Sequence, residues 1–249
     1  MSRTRLFLKR YARLPSTQAA ALERARAGAP AGTLLWAEEQ SEGRGQAGKE
    51  WYSPRGGAYF SLLLRVPPTG LPLLSLAAGA EVRDRLQHRA SDPLWIKWPN
   101  DLLVVRKDAP GARKLGGILV DVLSVPGREP VAVVGVGVNV ARPRSLPAGL
   151  QERVGFLAEM AAGPTGVEAL VEELAQGLLS LPATLAPEDA ADRVLGRVDP
   201  WLWGRGRVVR WTGGEGLFLR LEPDGQALVR SSDGRTHRLS QGSVEWEGW

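Results

Sequence analysis

The chain has 249 residues, 43% of them hydrophobic and 24% charged, with a formal net charge of +5 and no cysteine. A chain of this length buries a sizeable core in one large domain, or in one domain with a small appendage. The lack of cysteine excludes disulfides, thiolate catalysis and cysteine metal sites.

The N-terminal residues Arg3, Arg5, Lys9 and Arg10 surround only the run Leu6-Phe7-Leu8, too short for a signal sequence. No apolar run approaches the ~18 residues of a membrane helix, so a cytoplasmic protein without membrane association is expected. Leu6 to Leu14 reads as a strand ending at Pro15. Ser16 or Thr17 then caps a helix to about Ala27, stopped by Gly28. Thr33 to Ala37 is a buried strand followed by the glycine loop Gly43-Arg44-Gly45-Gln46-Ala47-Gly48, and Ala58 to Arg65 is a second strand. Leu73 to about Arg89 has helical spacing. Leu94 to Trp98 and Leu102 to Val105 read as a hairpin turning at Pro99-Asn100-Asp101, and Asp108 to Arg113 as a polar loop. Lys114 to Leu123 and Val131 to Val140 read as strands joined by the turn Val125-Pro126-Gly127. Helices are expected over Gln151 to Met160 and Val167 to Leu181, then a weakly helical connector from Pro182 to about Pro200. Beyond Gly204, short β runs alternate with Pro223-Asp224-Gly225 and Ser232-Asp233-Gly234, both hairpin signals. Five short strands in the tail predict a small β-barrel.

The chemistry-bearing residues fall in a few segments. In the glycine loop, Gly43, Gly45 and Gly48 let backbone N–H groups approach an anion, and Arg44 and Lys49 supply charge. Gln40 stands just before it and Trp51, a flat wall for a ring, just after. Lys97-Trp98-Pro99-Asn100-Asp101 compresses a lysine, an amide and a carboxylate at a strand end. Lys114 opens an apolar strand whose Gly116 and Gly117 permit close approach of a ligand. Asn139 stands in an apolar run and needs partners if buried. Pro15-Ser16-Thr17-Gln18 is explained by helix capping or by a hydroxyl given to a ligand. The chain holds only five lysines, of which Lys49, Lys97 and Lys114 lie in these motifs; arginine carries the generic positive charge.

Four of these motifs, in this order and spacing, resemble the biotin protein ligases. Gly43-Arg44-Gly45-Gln46-Ala47-Gly48 stands for that family's Gly-Arg-Gly-Arg-x-Gly loop, and Lys97-Trp98-Pro99-Asn100-Asp101 matches in full. Lys114-Leu115-Gly116-Gly117-Ile118-Leu119 and Gly135-Val136-Gly137-Val138-Asn139 complete the set. The resemblance implies an α+β fold: a mixed sheet with helices, like class II synthetase catalytic cores, over residues 1–200, and an SH3-like barrel over 201–249. It implies that biotin and ATP, with Mg²⁺, give biotinyl-5′-AMP, from which biotin passes to a lysine of a biotin carboxyl carrier protein. Lys114 would contact the biotin carboxylate and the α-phosphate. Arg44 and the neighbouring backbone would close over the adenylate, and Lys49 would meet the outer phosphates. Asn100 and Asn139 would serve the ATP side, and Asp101 would orient or deprotonate the incoming lysine. Ser16, Thr17 and Gln40 would bond the ureido ring, with Trp51 enclosing the rest. No protein-held metal site is expected.

Gln46 departs from the family's second loop arginine, which helps order the loop; its neutral amide implies weaker retention of the intermediate. The chain starts at the catalytic domain, without room for the ~60-residue winged helix of some members, so no specific DNA binding is expected. Monomer and homodimer both stay open. Two other readings of the sequence are a lipoate- or octanoate-transferring relative and a basic nucleic-acid-binding protein. The first lacks an Arg-Arg-x-x-Gly-Gly-Gly loop here, and dispersed arginines disfavour the second.

Overall fold

The computed structural model describes residues 4–106, 111–124, 129–161, 163–240 and 244–247. The turn expected at Val125-Pro126-Gly127 and the first half of the loop expected from Asp108 to Arg113 lie outside them. The strands are β1 (Phe7–Tyr11), β2 (Thr33–Ala37), β3 (Ala58–Arg65), β4 (Leu94–Lys97), β5 (Asp101–Val105), β6 (Ala112–Leu123), β7 (Val131–Val138) and β8 (Leu202–Trp203). They form one sheet in the order β1-β2-β3-β7-β6-β5-β4-β8. The two outermost pairs are parallel and the inner pairs antiparallel.

Alternation along the strands gives the sheet two buried faces. Leu35, Leu63 and Val133 meet Ala21 of α1 (Thr17–Arg26). Their neighbours Leu34, Leu62, Leu64 and Val134 belong to a larger core. That core includes residues of α2 (Leu74–Gln87), α3 (Val167–Leu178), α4 (Leu181–Leu185) and α5 (Ala190–Val198). The connector expected over 182–200 thus holds two helices, the first with Pro182 in its opening turn, where the missing N–H costs nothing.

The helix expected over Gln151–Met160 is absent. The segment holds a short 3₁₀ turn, Leu157–Glu159, and its backbone serves the sheet instead. Arg153 O accepts from Lys114 N at 2.8 Å, Gly155 N donates to Lys114 O at 2.9 Å, and Leu157 N donates to Asn139 O at 2.9 Å.

The tail strands β9 (Val208–Trp211), β10 (Gly214–Leu221), β11 (Ala227–Arg230), β12 (Thr236–Leu239) and β13 (Val244–Trp246) form a second, antiparallel sheet in the order β12-β11-β10-β9-β13. The expected hairpins form at Gly225 and Gly234, both at positive φ. The expected SH3-like barrel does not. β12 and β13 are opposite edges, and among the described residues no pairing joins them, so the sheet stays open. Strong hairpin signals specify neighbouring pairs but not the closing pair. The α+β class and the mixed sheet stand.

The second sheet is fastened to the first. Trp98 Nε1 donates to Gly225 O at 2.9 Å, and Trp246 of β13 packs on Trp203 of β8 with ring centroids 5.5 Å apart.

Candidate functional site

A single row across the first sheet organises the site. The register pairs Tyr59 with Gly137, Gly137 with Gly117, Gly117 with Asp101, and Asp101 with Lys97. Directly opposed residues of antiparallel strands share a face, so this row presents a phenol, two bare backbone positions, a carboxylate and an ammonium side by side. The two glycines make a floor for Trp51. A Cβ on Gly137 would come within 2.7 Å of the indole, and one on Gly117 within 3.3 Å.

At the far end of the row, Asp101 joins two lysines. Its Oδ2 is 2.9 Å from Lys97 Nζ and its Oδ1 is 2.5 Å from Lys114 Nζ. Lys97 is 6% exposed and Asp101 8%. Burial pushes the Lys97 ammonium below the usual lysine range; Asp101 opposes this, while Lys114 and Lys49 add to it. Burial alone would raise the Asp101 carboxyl, but Lys114 and Lys97 hold it below the usual carboxylate range. Two ammonium groups around one carboxylate leave a net positive site, suited to an anion. Lys114 also stands 5.0 Å from the centre of the Trp51 ring, within cation–π range.

At the other end lies a polar cluster. Ser16 Oγ accepts from Ala19 N at 3.3 Å and so caps α1. Gln40 Oε1 accepts from Thr17 N at 2.8 Å and from Thr17 Oγ1 at 3.1 Å, and Gln40 Nε2 donates to Ser53 Oγ at 2.9 Å. Between the ends, the glycine loop folds over with a short turn, Gln46–Gly48, in which Ala47 takes a positive φ of 56°. Gly45 N bonds Lys49 O at 2.7 Å, closing the loop, while Arg44 and Lys49 are exposed.

Two cavities of about 190 and 890 Å³ adjoin along this row. The smaller is lined by Ser16, Thr17, Gln40, Arg44, Gly45, Gln46, Asn100 and Gly117, and the larger by Asn139, Tyr52, Arg153 and Phe156. Lys49, Trp51, Lys97, Asp101, Lys114 and Trp246 line both. Gly43 and Gly116 line neither. A Cβ on Gly43 would strike Trp51 O at 2.2 Å, and one on Gly116 would meet Gly137 O at 2.8 Å, so both serve close packing. Asn100 Nδ2 donates to Ile118 O at 2.7 Å and Asn139 Nδ2 to Lys114 O at 3.2 Å. Each amide tethers one strand end through its nitrogen.

Gln18, Ser61, Gly137 and Trp246 also line the cleft; the sequence reading placed Gln18 and Gly137 in motifs without giving them a role of their own, and missed Ser61 and Trp246. Ser61 had a signal, a lone hydroxyl amid the apolar run of β3. Trp246 had none, because its place depends on how the second sheet docks.

Residues 11–139 match the model of the biotin/lipoate A/B protein ligase family. The chain is similar to the bifunctional ligase/repressor BirA of Bacillus subtilis, with 35% identity over 152 residues, 59% of this chain and 45% of the relative. It is also similar to the biotin–[acetyl-CoA-carboxylase] ligase of Paracoccus denitrificans, with 39% identity over 137 residues, 52% of this chain and 53% of the relative. The matches thus span about half the length of these curated relatives. Among solved structures, the biotin protein ligase of Aquifex aeolicus in complex with biotin and ATP superposes with a TM-score of 0.78 at 25% identity, covering 96% of this chain and 99% of that one. With the family model matched over more than half of its residues, the chain belongs to the biotin/lipoate A/B protein ligase family.

Proposed function

We propose that this chain activates the carboxylate of biotin with ATP, forming biotinyl-5′-AMP and releasing pyrophosphate. It then passes biotin to the lysine amine of a biotin carboxyl carrier protein, releasing AMP. The observation that carries the proposal is the Lys97–Asp101–Lys114 cluster, which stands where the two cavities meet. The first step brings a carboxylate onto a phosphate, two anions that repel. A net positive site, preformed around the buried Lys97 and Asp101, offsets that repulsion and stabilises charge building on the phosphate. The smaller cavity, with its polar end at Thr17 and Gln40 and its indole wall at Trp51, suits a small ring bearing hydrogen-bonding groups. The larger cavity has room for the nucleotide. The Aquifex aeolicus relative is described with both biotin and ATP.

In this proposal Lys114 bridges the biotin carboxylate and the α-phosphate, since it reaches both cavities. Arg44, with the backbone of Gly45 and the side chain of Gln46, covers the adenylate. Lys49 faces the outer phosphates, and Asn100 and Asn139 border the nucleotide. Asp101 orients the attacking amine and does not deprotonate it, because a carboxyl held below its usual range is a poor base near neutral pH. Among the described residues no group of three His, Cys, Asp or Glu is placed to hold a metal ion. In this reading Mg²⁺ would arrive on the nucleotide's phosphates, its usual mode, and share their charge. Residues 1–200 form the catalytic unit in this reading, and 201–249 contribute Trp246 to the cleft. No helix among the described residues is long and apolar enough to cross a membrane.

The test is biotin-dependent exchange of pyrophosphate into ATP. Wild-type protein should catalyse it and Lys114→Ala should lose at least about a hundredfold, the usual scale for removing a charge-stabilising group. No exchange by the wild type refutes the function, and unchanged exchange in the variant refutes the role of Lys114.

A further inference from the structure

Gln18 lies beneath the polar end of the smaller cavity, and every one of its side-chain hydrogen bonds has a forced direction. Its Nε2 is 2.8 Å from Asp121 Oδ2 and 3.1 Å from Val133 O. A carboxylate and a carbonyl only accept, so both must face the amide nitrogen. The amide oxygen is then turned toward Ser61 Oγ, 2.9 Å away. An amide oxygen also only accepts, so the single hydroxyl proton of Ser61 goes to Gln18. Toward Thr17 Oγ1, 3.0 Å away, the oxygen of Ser61 then presents only a lone pair.

The opposite side of Thr17 is fixed in the same way. Ser53 Oγ donates its proton to Trp51 O at 2.8 Å and accepts from Gln40 Nε2 at 2.9 Å. Gln40 Oε1 therefore faces Thr17 as an acceptor, 3.1 Å from its hydroxyl. Thr17 has one proton and two acceptors within reach, so its oxygen has only lone pairs to offer a ligand. The space for the relay is provided at Gly135, where a Cβ would stand 2.4 Å from Gln18 Oε1.

We propose that Gln18, pinned by Asp121 and Val133 O, is a positioning residue that keeps Thr17 an acceptor toward the cleft, so that the site selects a ring N–H donor. The inference rests on the biotin reading, in which that donor is a ureido N–H. In this relay Asp121 acts through Gln18 and Ser61, and its place in the far half of β6 ties ligand selection to the strand that also carries Lys114.

The test measures ligand binding by calorimetry and steady-state kinetics for Gln18→Leu, Ser61→Ala and the double variant, with thermal melting to confirm folding. Ser61→Ala removes one oxygen and keeps the relay testable should Gln18→Leu fail to fold. Each single variant should weaken biotin about tenfold, with kcat and the KM for ATP within about twofold of wild type. Desthiobiotin, which keeps the ureido group and lacks the sulfur ring, should lose the same factor. The double variant should lose no more than the worse single one, since both break the same relay. Losses that multiply, an unchanged affinity for biotin, or equal losses in the KM for ATP would overturn the inference while leaving the functional reading intact. Failure of the wild type to bind biotin at all would overturn the functional reading, and this inference with it.

Discussion

Trp51 packs against Gly137: a Cβ built on that glycine would come within 2.7 Å of both Nε1 and Cε2 of the indole. The wall of the cleft therefore exists because β7 has no side chain at that position. Gly137→Ala should displace Trp51, cost about 1–3 kcal/mol as overpacking does, and raise the KM for biotin more than it lowers the melting temperature would explain. Ligand titration beside calorimetry checks this; an unaltered KM would mean that the indole is not a wall of the ligand site.

The ion cluster sets an acid limit on stability. The Asp101 carboxyl is held below its ordinary 3.8, because the Lys114 and Lys97 ammonium groups outweigh the opposing effect of burial. A carboxyl with a lowered folded pKa contributes fully above its unfolded value, and the contribution disappears as pH falls through the folded value. Wild-type melting temperature should therefore drop below about pH 4 more steeply than that of Asp101→Asn. The variant should also be less stable at pH 7, since it removes the carboxylate that Lys97 and Lys114 share. Superimposable pH profiles would show that the cluster does not stabilise the fold.

Gln46 lines the smaller cavity in the closing turn of the glycine loop. A neutral amide holds a phosphate less firmly than a guanidinium does. Gln46→Arg should slow the release of biotinyl-AMP, by about tenfold if one charge-assisted hydrogen bond is gained. Rapid dilution of preformed intermediate reads the off-rate directly, and equal rates would reject the prediction.

Trp246 is 5% exposed and packs on Trp203 and Phe218 while lining both cavities. Trp246→Ala should cost about 3–5 kcal/mol, the usual range for a buried aromatic, and weaken ATP binding. Trp246→Phe, which keeps the ring contacts, should recover most of both. If ATP binding survives Trp246→Ala, the second sheet makes no part of the nucleotide site.

The elements legible in the sequence were those specified by near neighbours. The Asp224-Gly225 and Asp233-Gly234 turns formed as expected because a local backbone requirement selects the residue. The motif residues Arg44, Lys97, Asp101 and Lys114 converge on one cleft. What escaped depends on distant partners. The 151–160 segment looks helical in isolation, but its backbone groups are taken up by Lys114 and Asn139. Closure of the tail sheet needed a pairing that no local signal encodes. The bond from Gln18 to Asp121 spans 103 positions, so neither residue signalled the other.

The strand Leu202–Trp203 pairs with the one ending at Lys97, more than a hundred residues earlier in the chain. During synthesis the outer edge of the segment bearing Lys97 therefore stays unpaired by that strand until Leu202 and Trp203 have left the ribosome. A chain stalled before Leu202 would thus present the open backbone groups of that edge to other chains.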